Sequence, residues 1–175
     1  MKLSGKTIAV LVEQHYQDME VWYPTYRLRE EGAKTIHVGT GSASEYLGKY
    51  GYPLKAERSA ENMQARNFDG LVIPGGWAPD KLRMYDSVLN LVRDMNELRR
   101  PIACICHGGW VLASAGIVKG RRLTSYAAIK DDLTNAGANW EDAEVVVDDN
   151  LVTSRKPDDL PAFMREFIKL FELKF

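Results

Sequence analysis

Pro101-Ile102-Ala103-Cys104-Ile105-Cys106-His107-Gly108-Gly109 is an apolar run that stops at a thiol, a histidine and two glycines. Followed at once by a helical pattern, it describes a buried strand, a tight turn and a helix, with Cys106 on the turn. The first N–H groups of such a helix favour a thiolate over a thiol, so a cysteine there is expected to be reactive. The rest of the chain extends this strand-turn-helix alternation in both directions.

Upstream, residues 7–12 read as a buried strand. Residues 19–31 read as a helix with Val21, Tyr23, Tyr26 and Leu28 among its apolar positions and Gly32 as its stop, and 35–38 as a strand. Residues 46–57, with Gly48, Gly51 and Pro53 among aromatics, suggest a hairpin or extended excursion. Residues 69–73 form a strand ending in Pro74-Gly75-Gly76, 87–98 an amphipathic helix, 102–105 the strand that delivers Cys106, and 108–115 a helix. Downstream, 127–135 read as a helix stopped by Gly137, 144–147 and 151–153 as strands around Asp148-Asp149-Asn150, and 160–171 as a terminal helix. The expected fold is α/β and doubly wound, a flavodoxin-like, mostly parallel sheet with helices on both faces. In such sheets ligands bind at the carboxyl ends of strands, where both Gly75-Gly76 and Cys106 fall.

The 175 residues are 45% hydrophobic and 27% charged, enough for one compact domain spanning 1–175. With 23 basic and 24 acidic residues the formal charge is -1. That argues against nucleic acid or an acidic membrane as partner and for small neutral substrates or proteins. The N-terminal region has no long apolar segment or cleavage site, so a cytoplasmic protein is expected. No run approaches the roughly 20 apolar residues of a membrane span. Cys104 and Cys106, two residues apart, do not suit a disulfide framework. His15, His37 and His107 are scattered and give no metal-ligand spacing, and no phosphate-binding glycine signature with a lysine is present, so neither metal nor cofactor is expected.

Each candidate group has a bland alternative. Cys106 could be a small buried hydrophobe, as Cys104 is expected to be. His107 could act as base or thiolate partner, but a neighbour in sequence needs a third group to orient it, and an ordinary helix-terminal histidine is the alternative. Gly75-Gly76 could bring a backbone N–H to a developing oxyanion, or simply form a turn.

The chain closely resembles the PfpI family, the intracellular protease/amidase branch of the class I glutamine amidotransferase-like superfamily, which also holds the Parkinson-associated deglycase-like proteins. The resemblance is carried by Tyr23-Pro24 with Arg27-Leu28 and Glu30-Glu31-Gly32, Gly51-Tyr52, Phe68-Asp69 through Gly76 with Ala78-Pro79, and Cys106-His107-Gly108. It continues in Thr124-Ser125-Tyr126 with Ile129-Lys130-Asp131-Asp132, Asn135-Ala136-Gly137, and Asp142-Ala143-Glu144-Val145-Val146-Val147-Asp148. It implies that Cys106 is the nucleophile, His107 its partner, Gly76 and the His107 backbone part of an oxyanion environment, and Tyr126 a tyrosine near the nucleophile. It further implies that Asp80 reaches across a subunit interface to orient the histidine, so a homodimer or larger homo-oligomer is expected. A helix N-cap after Pro79 is the alternative for Asp80.

Relatives of this kind carry a glutamate after the first strand, close to the cysteine. Aligned through Tyr23-Pro24, that position is Gln17, whose amide cannot exchange a proton near neutrality. His15, Asp18 and Glu20 lie close enough in sequence to substitute. Two function classes follow. One is a cysteine hydrolase or deglycase-like enzyme acting on peptide bonds or reactive carbonyls such as methylglyoxal, and the other is a non-catalytic stress protein with an exposed, low-pKa, oxidisable Cys106. Tyr46, Tyr50 and Tyr52, around glycine turns, are candidate aromatics for a contact surface.

Overall fold

The computed structural model describes residues 1–172. Its elements, in chain order, are β1 (Thr7–Leu11), α1 (Asp18–Glu30), β2 (Lys34–Gly39), β3 (Glu45–Leu47), β4 (Pro53–Lys55), β5 (Arg58–Ser59), β6 (Gly70–Ile73), α2 (Ala78–Leu82) and α3 (Asp86–Glu97). There follow β7 (Ile102–Ile105), α4 (Gly109–Ala115), β8 (Arg122–Leu123), α5 (Lys130–Asn135), β9 (Asn139–Trp140), β10 (Val145–Asp148), β11 (Leu151–Ser154) and α6 (Leu160–Leu170).

Seven strands form the main sheet in the order β10-β11-β7-β6-β1-β2-β5. All neighbours are parallel except β10 and β11, which pair antiparallel. This is the doubly wound α/β sheet expected. Its centre is dry because β6 and β7 are buried along their whole length and β1 from Ile8 onward, as strands covered on both faces must be. α1 and α6 pack together, as do α3 and α4. The order in which strands are added reverses at β1: β2 lies on one side of it and β6 on the other, so the crevice between the carboxyl ends of β1 and β6 is a topological switch point.

The region around 46–57 is the expected hairpin, β3 pairing antiparallel with β4. Tyr46, however, is fully buried rather than exposed. A Cβ on Gly39 would lie 2.6 Å from the Tyr46 ring, so the ring occupies the space that glycine leaves. Tyr50 and Tyr52 are exposed. The short helix α2 and the two-residue parallel strands β8 and β9 carry too little sequence for periodicity to register. Residues 127–135 open as a 3₁₀ turn, Ala127–Ile129, before α5. Among the described residues no helix is long and apolar enough to cross a membrane.

Candidate active site

Three chain segments meet at the switch point. After β1 the backbone folds back across the end of β6: the Trp77 N–H donates to the His15 carbonyl at 2.8 Å, and the Gln17 N–H to the Gly75 carbonyl at 3.2 Å. Gly76 has φ +74°, and a Cβ there would lie 2.4 Å from the Gln17 nitrogen and 2.5 Å from the His15 oxygen. Only glycine meets both demands. At Gly75 a Cβ would fall 2.5 Å from Cys106 Cβ and 2.6 Å from Glu20 Oε2. The glycine pair is therefore the floor on which a thiol and a carboxyl come together.

Cys106 follows β7 at φ +61°, a left-handed conformation uncommon for a side-chain-bearing residue and costly unless its surroundings hold it. The Tyr126 N–H, donating to the Cys106 carbonyl at 3.2 Å, is one such restraint. The strain turns the sulfur away from the strand line, toward the N–H groups of Gly76 and His107, which both donate to it. Cys106 is only 7% exposed. Burial first, and then the Glu20 charge, push its thiol up to about 12. The helix-terminus expectation of a low-pKa, exposed cysteine is thus reversed: desolvation and a neighbouring carboxyl outweigh the N–H groups.

The carboxyl is Glu20, not Gln17. Gln17 is the N-cap of α1, and its side-chain oxygen accepts the Met19 N–H at 2.8 Å. The helix therefore starts at Asp18, and Glu20 falls on the same stripe as Pro24 and Leu28, four and eight residues on, which faces inward and is buried. Its Oε2 accepts the Gly75 N–H at 2.7 Å, Oε1 is buried without a hydrogen-bond partner, and the Cys106 thiol lies beside the carboxyl. Burial pushes Glu20 up to about 8, opposed by the Gly75 N–H and the thiol contact. Each anion disfavours the other, so the first ionisation of the pair leaves one proton shared between carboxyl and sulfur. A carboxylate at helical spacing from Pro24 and Leu28 is the signal that marks Glu20 in the sequence.

His107 Nδ1 lies 3.3 Å from Cys106 Sγ. Its ring stacks on Tyr126 at 5.0 Å and contacts Trp110 at 5.1 Å and Trp77 at 5.7 Å. Burial, then the charge of Lys49, lowers its pKa, which favours neutral imidazole. Asp80 makes no hydrogen bond with His107 in this chain among the described residues. Nor is it a cap: the N-cap of α2 is Trp77, and Asp80 sits exposed in the first turn. With Gln14, His15, Trp77, Lys81 and Trp110 it lines a cleft of about 450 Å³ beside the His107 ring. Among the described residues no group of three or more His, Cys, Asp or Glu is arranged to hold a metal. Sequence reading left Glu20 unresolved among three neighbours and missed Trp77, Trp110 and Lys49.

The chain is similar to known proteins along nearly its whole length. The DJ-1/PfpI family profile matches residues 6–170. A deglycase of Pyrococcus horikoshii is 43% identical over 165 residues, covering 94% of this chain and 99% of the relative. General stress protein 18 of Bacillus subtilis is 38% identical over 170 residues, covering 96% and 99%. In a solved two-domain protein of Anabaena variabilis, with DJ-1/ThiJ/PfpI-like and ferritin-like domains, the match has a TM-score of 0.92 at 36% identity. It covers 94% of this chain and 47% of the other, so the chain spans about half of that structure.

Proposed function

Because the chain belongs to the DJ-1/PfpI family, we propose that it is a cysteine-dependent deglycase or hydrolase in which Cys106 adds to a reactive carbonyl and Glu20 carries the proton. The observation that carries this reading is the Glu20 carboxyl, pushed up to about 8 and lying against the Cys106 thiol. A group that titrates near neutrality can both take and return a proton. As the carbon–sulfur bond forms, the thiol proton passes to the Glu20 carboxylate and the carbonyl electron pair moves to oxygen. The N–H groups of Gly76 and His107 are the donors available to that oxygen. Return of the proton gives a thiohemiacetal.

For a 2-oxoaldehyde such as methylglyoxal, Glu20 then removes the proton from the carbon bearing sulfur. Its return to the neighbouring carbon, through an enediol, leaves a thioester, which water hydrolyses to a 2-hydroxy acid and free thiol. Neutral His107, beside sulfur at 3.3 Å, is a second proton acceptor. A redox-sensing role needs an exposed, low-pKa thiol, and burial of Cys106 counts against it.

The test is turnover of methylglyoxal with circular dichroism as a check on folding. Cys106→Ala is expected to abolish turnover, Glu20→Gln to lower it by about 10²-fold or more, and Gln17→Ala to keep it near wild type. Wild-type rates in Cys106→Ala would refute the nucleophile, and wild-type rates in Glu20→Gln would refute the proton carrier.

A further inference from the structure

The turn joining β3 to β4 is stapled to the segment that leads into Glu20. The Lys49 N–H donates to the Tyr16 carbonyl at 2.7 Å, and the Tyr50 N–H to Asp18 Oδ2 at 3.0 Å. Tyr16 in turn bridges Gly48 on one side and Gly76 on the other. Three extended segments therefore run side by side. At about 4.8 Å per step, the Lys49 backbone lies roughly 10 Å from Gly76, a distance a lysine side chain can largely span.

Lys49 is exposed and makes no ion pair among the described residues. Its Nζ sits 5.7 Å from the Tyr50 ring centroid, and its charge acts on both Glu20 and His107. Asp18, a carboxylate fixed beside the same turn, accepts the Tyr50 N–H through Oδ2 while its Oδ1 has no hydrogen-bond partner, and Arg83 bonds Ser114 Oγ and lies over the Trp110 ring. The rings against His107 are Trp77, Trp110 and Tyr126, which carry no charge, and the cleft beside them holds Asp80 and Lys81, one charge of each sign.

We propose that Lys49 gives the mouth above Cys106 a preference for anions, selecting reactants that carry a carboxylate within one or two bonds of the carbon that sulfur attacks. Among carbonyl compounds this class is the 2-oxo and aldehyde acids. The proposal rests on Cys106 being the nucleophile, and it adds a specificity-determining residue that is far from the cysteine in sequence.

Iodoacetate and iodoacetamide test it directly, because they match in size and leaving group and differ by one charge. Each transfers a CH₂ carbon to the thiolate, whose electron pair forms the new bond as iodide leaves. The ratio of the two rates at Cys106, followed by mass spectrometry, cancels the thiolate fraction and reads the local potential. Lys49→Met is expected to lower the iodoacetate-to-iodoacetamide ratio by about three- to tenfold at low salt. Lys49→Arg should restore it and Lys49→Glu lower it further, while about 0.5 M salt should narrow the difference. An unchanged ratio in Lys49→Met overturns the proposal alone. Failure of both reagents to label Cys106 in wild type overturns the nucleophile reading, and the proposal with it.

Discussion

Glu20→Gln should make the protein more stable while removing its turnover, and the gain should depend on pH in a defined way. In the folded chain Glu20 keeps its proton up to about 8, whereas its ordinary value is 4.5. Between those values the unfolded carboxyl has ionised and the folded one has not, so the folded state binds more protons and stability falls as pH rises. The stabilisation is whole below about pH 4.5 and is lost as pH climbs through about 8, at about 1.4 kcal/mol per unit. At about pH 7 the loss is about 3 kcal/mol, and above pH 8 about 5 kcal/mol.

Glutamine does not titrate, and its amide oxygen can still accept the Gly75 N–H. The variant therefore escapes the loss, a gain of roughly 6–12 °C in melting temperature at about pH 7 for a domain of this size. Cys106 does not enter this window, because its shift runs upward from 9.0. The lowered His107 and His37 values are common to both proteins and cancel in the difference. Urea unfolding of wild type and Glu20→Gln at several pH values between about 5 and 8.5 measures it. A stability difference that stays flat across that range would refute a carboxyl held protonated by burial, and would remove the proton carrier from the site.

Gly75→Ala should destabilise by about 1–3 kcal/mol and cut turnover, since its Cβ would meet Cys106 Cβ at 2.5 Å, Glu20 Oε2 at 2.6 Å and Cys106 Sγ at 2.8 Å. Thermal unfolding beside a rate measurement checks both halves, and a stable, active variant would contradict the tight floor. We also expect association into a homodimer or larger assembly. Exposed Met19, Tyr26, Tyr50 and Tyr52 line a cleft of about 540 Å³ on one side of α1, and Asp80 lies exposed beside the cleft near His107. Light scattering at micromolar concentration should show more than one copy per particle, and a monomer would remove any role for Asp80 at a neighbouring site.

The architecture was legible because it is written locally. Strands buried on both faces need unbroken apolar runs, and 102–105 coincides with β7, while 7–12 and 69–73 overrun β1 and β6 by a residue at one end. The elbow was legible for the same reason, since a thiol between an apolar run and a glycine pair leaves few other readings. Elements of two to five residues, α2, β8 and β9, escaped because periodicity needs more turns or alternations than they contain.

The chemistry of the site was less legible, because it depends on which way side chains point. Alignment through Tyr23-Pro24 led to Gln17. The helix start put that amide on the cap and rotated Glu20, three positions later, under Gly75. The cysteine's acidity went the same way. Local chain geometry favours a thiolate at a helix start, but burial and a carboxyl from another segment raise the thiol instead. Apolar pattern and turn residues set the succession of strands and helices along the chain and the position of Cys106, since both follow from neighbours along the chain. The partner of that thiol follows from a contact between Glu20 and Gly75, 55 positions apart, which exists only once the sheet has brought β1 and β6 side by side.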